Sequence, residues 1–586
     1  MLCTLLSRLT VLLAALLLLP AAAAQDDVFY PFAISASGDQ SAVAVALGDD
    51  GSAFVAGDFL GSPDFDPGDG ETILESAGAF DVFLARYDAN GALVWASGIG
   101  GSSLEVVGGA ATDDDGVVIV GEFTGSFDAD PGDGETLLTS LGLSDFFVAK
   151  YDAADGALRW AFSIGGTSVD IATDVVATDE GGAVVVGQFN SAADFDPSDG
   201  GVVPLISAGG SDAFVAEYDA DGAFVRAFNL GGSGEDVASA VAATGAIIAV
   251  AGTFSGTVNF DPAGTAEATA PGEALNTFTA SYESGSEGTP YAFRWVTPLA
   301  SEDNNNPGAV AFDGDGNLLV TGRLTGDAAL GASALTAQSD FDVFVGKLDP
   351  SGASPWAFNI GGFSQGFGIA AAPDGDVVVT GSFFNATDFD PGEGETVLSG
   401  VDGAEVFVAR YLADGSFRWA FALAAEGQNQ GNAVAVDADG SATVVGRFSA
   451  SKGLDFDPSP DNAITIFSRG GSDAFIAKYD ADGAVWEPML PSNEGALASA
   501  GARLSAPYPN PVRSAAQLAL GLEEAQHVRV EVFDALGRRV ALLHDGSLPV
   551  GEHALTLDAA ALPSGLYVVR ATGDAFALST RTTVVQ

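Results

Sequence analysis

The most regularly spaced residues that could do chemistry in this sequence are carboxylates. The segment Asp-Phe-Asp-Pro-Gly-Asp-Gly-Glu begins at Asp64, and close copies begin at Asp128 and Asp388. Oxygen ligands held together around a glycine-containing turn suit Ca²⁺, and calcium outside the cell is abundant enough to fill weak sites. The candidate calcium ligands are Asp64, Asp66, Asp69, Glu71, Asp128, Asp130, Asp133, Glu135, Asp388, Asp390, Glu393 and Glu395.

The same acidic loop also has a purely structural interpretation. Asp-Pro-Gly forms turns, and Asp side chains readily accept hydrogen bonds from nearby backbone N–H groups. The aromatic residue inside the loop, as in Phe65, Phe195 and Phe389, would then pack into a core. The spacing is not that of an EF-hand loop. We favour the structural interpretation and keep calcium as the alternative cofactor.

Other catalytic groups are scarce. The single cysteine is Cys3, and the three histidines, His527, His544 and His553, lie in the last sixty residues. Most of the chain therefore lacks the parts for a Cys or His nucleophile, a zinc site or a disulfide framework. No catalytic residue is predicted.

A pair of carboxylates could still hydrolyse a glycosidic bond. With 79 acidic residues, however, a pair somewhere in the fold is inevitable and has no specificity. An extracellular carbohydrate-active enzyme is kept as the alternative function because carboxylates alone could catalyse this reaction. The irregular segments 282–306 and 363–368 are where such a site would be sought.

The charge balance excludes several partners. The formal net charge is -58 and the pI about 4.1, so binding to nucleic acid or to an anionic membrane is disfavoured. With 47% apolar residues the chain can nevertheless bury large cores.

The first 24 residues have the features of an export signal. Arg8 precedes an apolar run from Val11 to Leu19, and small residues lead up to Gln25. The run is too short for a transmembrane helix, so no membrane span is predicted. We expect cleavage after Ala24.

Three markers repeat along the chain after this signal. The acidic motif recurs at residues 64, 128, 194, 259, 388 and 455, with one copy missing near Asp327 where two periods pass. A second marker, of the type DAFVAKYDADG, occurs seven times, starting at residues 81, 145, 212, 276, 342, 405 and 473. A tryptophan strand such as Trp95-Ala-Ser-Gly-Ile-Gly-Gly follows each, with Arg226 in place of tryptophan once. These markers define seven repeats of about 65 residues.

Each repeat is predicted to form four strands. Period-2 patterns around Asp-Ala-Asp-Gly turns indicate hairpins, and runs such as Val117–Val120 are apolar on both faces. Helical periodicity is absent. Seven four-stranded units favour an all-β, seven-bladed β-propeller over residues 25–490, with an open β-solenoid as the alternative.

Closure of such a ring is also predictable. Residues 28–36 match the tryptophan strand, whereas the last such strand, at Trp486, meets Pro488 almost at once. Proline cannot continue a central strand. We therefore expect the N-terminal strand to join the seventh repeat. The pattern FDPGDGET, DxFVAKYDADG (x being any residue), WAFSIGG resembles the bacterial SBBP-type β-propeller repeat found in secreted surface proteins, over residues 30 to about 486.

The C-terminal region is different. A linker at 491–505 precedes residues 506–586, whose alternating strands predict a small Ig-like β-sandwich. Its Tyr-Pro-Asn-Pro entry, VFDALGRRV turn and LPSGLYVVR strand resemble the type IX secretion sorting domain; an ordinary accessory sandwich is the alternative. The residues that carry this resemblance are Pro509, Asn510, Pro511, Asp534, Gly537, Arg538, Gly565 and Tyr567.

That resemblance implies the type IX secretion machinery as a partner, with passage through the periplasm to the outer cell surface or the medium. Taken together, the sequence predicts a non-enzymatic exported propeller that binds or scaffolds at the cell surface, with glycans or surface proteins as the expected partners.

Overall fold

The structure is a computed structural model. It describes residues 30–68, 70–113, 115–198, 200–272, 274–285, 289–401, 403–459, 463–486, 502–504, 515–522, 524–534, 539–559, 562, 565–573 and 577–584. Within those ranges all the regular structure is β-strand and there is no helix, which confirms the all-β class. The chain divides between residues 487 and 488 into two compact units.

The strands of the first unit follow the repeats. β1 (Phe32–Ile34) precedes the first repeat. The first repeat holds β2 (Gln40–Leu47), β3 (Ala53–Phe59), β4 (Asp81–Tyr87) and β5 (Leu93–Gly101). The second repeat holds β6 (Glu105–Thr112), β7 (Gly116–Phe123), β8 (Ser126–Asp128), β9 (Leu137–Thr139), β10 (Asp145–Asp152) and β11 (Leu158–Ile164). The third holds β12 (Asp170–Ala177), β13 (Ala183–Asp194), β14 (Pro204–Tyr218) and β15 (Phe224–Leu230).

The later repeats are built alike. The fourth holds β16 (Val237–Thr244), β17 (Ile247–Phe254), β18 (Thr257–Asn259), β19 (Glu267–Thr269), β20 (Asn276–Glu283) and β21 (Ala292–Ser301). The fifth holds β22 (Asn306–Phe312), β23 (Leu318–Leu324), β24 (Asp327–Leu330), β25 (Ser333–Thr336), β26 (Asp342–Leu348) and β27 (Trp356–Ile360). The sixth holds β28 (Ser364–Ala371), β29 (Val377–Phe383), β30 (Thr387–Asp388), β31 (Val397–Leu398), β32 (Gly403–Tyr411) and β33 (Phe417–Leu423). The seventh holds β34 (Gly427–Gln428), β35 (Gln430–Val436), β36 (Ala442–Phe448), β37 (Leu454–Asp455), β38 (Thr465–Ile466) and β39 (Asp473–Tyr479).

Each repeat folds its four main strands into an antiparallel meander. The core orders are β2-β3-β4-β5, β6-β7-β10-β11, β12-β13-β14-β15, β16-β17-β20-β21, β22-β23-β26-β27, β28-β29-β32-β33 and β35-β36-β39-β1. Turn chemistry explains the hairpins: the Asp88 carboxylate accepts the N–H groups of Asn90 and Ala92, each at 2.9 Å, and Gly91 has φ 88°.

The N-terminal strand completes the seventh sheet. Phe32 lies opposite Ile476, and Ile34 lies opposite Ala474, in an antiparallel pair. Trp486 packs its ring edge against Tyr30 at 6.2 Å between centroids. The predicted joining of the N-terminal strand to the seventh repeat is therefore confirmed.

The first strand of each repeat touches the first strand of the next. The contacts run from β2 to β6, β12, β16, β22, β28 and β35, and β35 contacts β2. Each of these strands carries a β-bulge at the same place, for example between Ala42 and Ala44 in β2. Within the described residues no sheet closes on itself as a barrel.

The hydrophobic clusters lie between neighbouring sheets. One cluster joins Phe54 and Val82 of the first repeat to Val117, Ile119 and Phe147 of the second. Strands whose two faces both meet a neighbouring sheet need apolar residues on both sides. This explains runs such as Val117–Val120, where strict alternation is absent.

Short hairpins formed by the acidic loops were not predicted. In the second repeat β8 pairs with β9 and also with β5, where Gly100 lies opposite Asp128. The acidic loop of the second repeat thus pairs with the last two residues of β5, the outer edge strand of the preceding sheet, and covers that end of the edge.

The second unit contains two sheets around one core. Its strands are β40 (Ala502–Leu504), β41 (Ala515–Leu522), β42 (Gln526–Asp534), β43 (Arg539–Leu548), β44 (Gly551–Asp558), β45 (Gly565–Thr572) and β46 (Ala577–Val584). They form the sheets β40-β41-β44 and β43-β42-β45-β46, whose inner side chains share one cluster with Leu520, Val530 and Val569. Residues 502–504, expected to lie in the linker, form β40 and pair with β41, so the second unit begins before residue 506.

Candidate functional site

The acidic loops are organised by hydrogen bonds within each loop. Asp64 Oδ1 accepts the backbone N–H groups of Asp66, at 3.1 Å, and of Thr72, at 2.8 Å. Asp66 Oδ1 accepts the N–H of Gly68 at 2.8 Å. The carboxylates therefore fold the loop on itself.

The other copies have the same bonds. Asp128 bonds to the N–H groups of Asp130 and Thr136, and Asp388 bonds to those of Asp390 and Thr396. In the fourth repeat an amide replaces the first carboxylate: Asn259 Oδ1 accepts the N–H groups of Asp261 and Ala266 at 3.1 and 2.8 Å. The position thus needs an acceptor oxygen and not a negative charge.

A tyrosine anchors each loop to its own sheet. The Tyr87 hydroxyl donates to the carbonyl of Phe65 at 3.1 Å, and Phe65 packs on Phe59 and Phe83. Burial holds the pKa of Tyr87 well above its usual value, so the hydroxyl stays a donor. The fifth repeat, which has no acidic loop, has Leu348 in place of this tyrosine.

The remaining candidate calcium ligands do not converge. Glu71, Asp133, Glu135, Glu393 and Glu395 are exposed, and Asp69 lies outside the described residues. Across the described ranges no group of three or more His, Cys, Asp or Glu side chains is arranged to hold a metal ion. Calcium binding by the loops stays a prediction.

A cavity of about 700 Å³ lies where the first strands of all seven repeats meet. Its wall is mostly small and apolar, and its polar side chains include Gln430, Asn432 and Thr173. Asp174 is the one carboxylate and Arg447 the one cation among the described residues that line it.

Asp174 is engaged by the backbone. Its Oδ1 accepts the N–H of Val175 and its Oδ2 accepts the N–H of Val241 in the next repeat, both at 2.8 Å. Asp58, on β3, makes a similar link two junctions earlier, to the N–H of Val107 of β6 at 2.8 Å. Burial raises the pKa of Asp58 and of Asp174 to about 7. These carboxyls tie neighbouring repeats together near the bulges of β6 and β16.

The Lys or Arg of the second marker and the tryptophan of the strand that follows it meet at the junctions between repeats. The carbonyl of Ala153 accepts both Arg86 Nη1, at 2.9 Å, and Trp95 Nε1, at 3.0 Å. At the next-to-last junction the carbonyl of Ala481, in the seventh repeat, accepts Arg410 and Trp419 of the sixth repeat in the same way.

The junction after the third repeat departs from this pattern. Glu217 replaces the cation and Arg226 replaces the tryptophan, and the two side chains pair at 2.8 Å. Tyr291, from the lengthened turn of the fourth repeat, donates its hydroxyl to Glu217 Oε2 at 2.6 Å and lies under the Arg226 guanidinium. Arg226 stands out in the repeat pattern, whereas the role of Glu217 was not predicted, although Glu217 is the one acidic residue at this position of the second marker.

The sorting-domain residues are placed in part. Gly565 and Tyr567 lie in β45, where Tyr567 is buried and pairs with Asp534 of β42. Pro509, Asn510, Pro511, Gly537 and Arg538 lie outside the described residues.

Comparison with known proteins locates one domain family. Residues 506–586 match the secretion system C-terminal sorting domain. An uncharacterized WD repeat-containing protein, L264, from Acanthamoeba polyphaga mimivirus is 28% identical over 186 residues, which is 29% of this chain but only 13% of that protein.

Solved structures show only distant similarity. PorZ, a surface component of the type IX secretion system of Porphyromonas gingivalis, is 13% identical, with coverage of 95% of this chain and 100% of that chain and a TM-score of 0.19. Dimeric latent PorU from the same organism is 11% identical, covers 80% of this chain and 34% of that chain, and has a TM-score of 0.12.

The sorting domain determines where the protein goes. A chain that carries it is exported through the type IX secretion system to the cell surface or the extracellular space. In the part of the chain that the structure describes, no helix is long and apolar enough to cross a membrane.

Proposed function

We propose that the chain is an exported, seven-bladed β-propeller that acts as a non-enzymatic binding or scaffold module at the cell surface. The observation that carries the proposal is the cyclic contact of seven first strands, which begins and ends at β2. A ring of outward-running meanders hides its sheet edges, as a propeller requires. The similarity to a protein named for WD repeats agrees with this, since such repeats build four-stranded blades.

The domain limits that follow are 1–24 for the export signal, 25–490 for the propeller and 506–586 for the sorting domain. The hydrogen bonds between neighbouring repeats described above recur around the ring, and their acceptors are backbone carbonyl oxygens. Because every residue has a backbone carbonyl, the side chains of the exposed turns can vary without loss of these bonds. Such variation is what a binding module needs.

One end of the propeller offers an acidic surface, which we call the turn face. Successive antiparallel strands place the turn after the first strand and the turn after the third strand of every repeat at the same end. The acidic residues of these turns are Asp49, Asp50, Asp88, Asp113, Asp115, Asp155, Asp179, Glu180, Asp219, Asp221, Asp313, Asp315, Asp349, Asp374, Asp376, Asp414, Asp437, Asp439, Asp480 and Asp482. Such a face favours cationic groups, calcium and hydroxyl-rich glycans as ligands.

The residues that line the cavity between the first strands give less support to a hydrolytic function than to a binding function. Glycoside hydrolysis by two carboxylates needs a second acid about 5 to 10 Å from the first. Asp174 is alone among the described lining residues, and both its oxygens are already bonded to backbone N–H groups.

The test is to incubate the exported protein with soluble and insoluble polysaccharides in the presence of Ca²⁺, and to follow protein depletion and new reducing ends. Depletion without new reducing ends is expected for a glycan-binding module. New reducing ends would make the protein an enzyme. No response in either assay would point to protein partners or to a scaffold.

A further inference from the structure

Two buried carboxylates lie side by side at the junction between the first and second repeats. Asp81 is the first residue of β4, and Glu105 is the first residue of β6 in the next repeat. The backbone N–H of Glu105 donates to the carbonyl of Phe80 at 2.9 Å, which fixes the two residues next to each other. Asp81 is 3% exposed and Glu105 is fully buried. Neither residue belongs to an acidic loop, and both lie at the strand ends opposite to the turn face.

Each of these carboxylates has one bonded oxygen and one oxygen without a donor. Asp81 Oδ2 accepts the N–H of Ala77 at 2.7 Å. Glu105 Oε2 accepts the N–H of Gly101 at 2.8 Å. Asp81 Oδ1 and Glu105 Oε1 are buried and accept no hydrogen bond from any described residue. A Cβ atom at Gly100 would come within 2.8 Å of Asp81 Oδ1, and the next residue supplies the N–H that holds Glu105. A buried carboxylate oxygen without a donor is costly.

The same pair of positions recurs at every junction, defined by the same backbone hydrogen bond. The pairs are Asp81 with Glu105, Asp145 with Asp170, Asp212 with Asp236, Asn276 with Asn305, Asp342 with Ser364, Glu405 with Asn429, and Asp473 with Gln40. At the last four junctions at least one member of the pair is neutral. At the second and third junctions both members are acids, but both oxygens of Asp170 and of Asp236 accept backbone N–H groups. Among the described residues, the first junction is therefore the one where both members leave a buried oxygen unbonded.

The extra methylene of a glutamate accounts for this difference. Asp170 Oδ1 accepts the N–H of Asn190, the residue that follows the second main strand of its repeat, at 3.1 Å. The equivalent N–H in the second repeat belongs to Thr124 and donates to the carbonyl of Leu104 at 3.0 Å instead. Glu105 does not take this N–H, and its Oε1 is left without a donor.

A cation or a shared proton would satisfy both unbonded oxygens at once. Burial raises the pKa of Asp81, and burial together with the charge of Asp81 raises the pKa of Glu105 to about 7. Above that pH the pair carries two buried negative charges in a protein of net charge -58, which favours a cation. Ala77, Gly78 and Ser102, in the two loops beside the pair, are exposed, so the pair lies close to the solvent.

We infer that Asp81 Oδ1 and Glu105 Oε1 bind a Ca²⁺ ion that links the first and second repeats. Ca²⁺ takes about six to eight oxygen ligands, which include carboxylates, backbone carbonyls and water. The loops 77–80 and 101–104 offer backbone carbonyls beside the two carboxylates, and the N–H of Ala79 joins these loops by donating to the carbonyl of Ser103 at 3.3 Å. A site with two carboxylates is expected to be weak and to fill at the calcium level outside the cell, where the sorting domain directs the protein.

The test is thermal unfolding of the purified full chain at pH 8, in about 1 mM Ca²⁺ and in chelator. Ca²⁺ is expected to raise the melting temperature of the wild type by about 2 °C more than that of Glu105→Gln. In chelator Glu105→Gln is expected to melt at or above the wild type. Its amide can donate to Asp81, and its oxygen can keep the backbone N–H, as Gln40 does with Ala36 at 3.0 Å. Glu75→Gln, which removes an exposed negative charge from the first repeat, is expected to keep the wild-type rise.

Equilibrium dialysis with radioactive calcium gives a second measurement. The wild type and Glu75→Gln are expected to hold one more Ca²⁺ per chain than Glu105→Gln and Asp81→Asn. Equal calcium contents and equal rises in melting temperature in all four proteins would overturn the inference. A pair that holds only a proton would give no difference with calcium, while Glu105→Gln would still melt above the wild type in chelator; this result also overturns it. The proposed binding function is tested separately, by the polysaccharide assay.

Discussion

Arg86 and Trp95 lie opposite each other on β4 and β5, and both donate to the carbonyl oxygen of Ala153 in the next repeat. One backbone oxygen therefore accepts hydrogen bonds from two side chains of the preceding sheet. The tryptophan ring also covers Gly156, where a Cβ atom would come within 2.8 Å of it. Since Gly156 has φ 73°, no other residue suits this turn as well.

Weakening this junction should destabilise the first unit. Trp95→Phe removes the N–H donor and keeps most of the ring, which we expect to cost about 1 kcal/mol of unfolding free energy. Trp95→Ala also opens a void and should cost about 3 kcal/mol. Thermal unfolding followed by circular dichroism measures both. Val94→Thr, at a neighbouring position that is 47% exposed, is the control; an equal effect there would contradict the specific role of Trp95.

The acidic loops give a second prediction. If Asp64 acts only as an acceptor, Asp64→Asn should melt at the wild-type temperature, because Asn259 makes the same bonds in the fourth repeat. Asp64→Ala should lose about 1 to 2 kcal/mol, since two backbone N–H groups lose their partner. A melting temperature that Ca²⁺ raises in the wild type and not in Asp64→Asn would instead establish calcium binding at this loop.

Much of the first unit could be predicted from local patterns. The turn at Asp88–Gly91 and the apolar run at Val117–Val120 depend on residues close in sequence, so the meanders follow from them directly. Pairing of β1 with β39 was predictable because Pro488 follows Trp486 closely in the sequence, and proline cannot continue a central strand.

What the sequence could not show are contacts that depend on three-dimensional neighbours. The pairing of Gly100 with Asp128 joins an edge strand to a loop of the following repeat, and the loop was predicted as a turn and not as a strand. The hydrogen bond from Tyr291 to Glu217 joins side chains of two different repeats. Such features arise from how sheets stack, which a periodic pattern does not record.

Ionisation of Asp58 should make stability depend on pH. Burial raises the pKa of Asp58 to about 7, above the value of about 3.9 expected in the unfolded chain. The contribution of this group is therefore fully present below about pH 4 and is lost as the pH rises through 7. Asp58→Asn keeps the acceptor for Val107, so it should melt several degrees above the wild type at pH 8 and near the wild type at pH 4.

The control for this pH dependence is Asp49→Asn, which removes an exposed carboxylate from a turn of the same repeat. This substitution removes one negative charge from the protein, as Asp58→Asn does, but it leaves the buried carboxylates unchanged. Should Asp49→Asn reproduce the gain at pH 8, general charge repulsion and not the burial of Asp58 would be the cause.

The joining of β1 to the seventh sheet predicts that the ends of the first unit are interdependent. Ile34 is fully buried opposite Ala474, so Ile34→Ala should cost about 2 to 4 kcal/mol. Deleting residues 25–36 should lower the melting temperature much further, because Phe475 and Ile476 would face water along an open edge. Limited proteolysis should then cut first near β39; an unchanged melt after the deletion would show that the ring closes by other contacts.

The last prediction concerns the second unit and the route of export. Residues 506–586 match the sorting domain, and their core holds Leu520, Val530 and Tyr567 within two sheets. Removing this segment leaves the first unit with its own cores, since the division between the units falls at 487 and 488. We therefore expect the truncated chain to fold and to accumulate in the periplasm, where fractionation and immunoblotting would detect it. Val530→Asp should have the same effect by unfolding the sorting domain, whereas Arg529→Gln, at a partly exposed neighbouring position, should leave export intact. Appearance of the truncated chain outside the cell at the wild-type level would mean that the first unit carries its own export information.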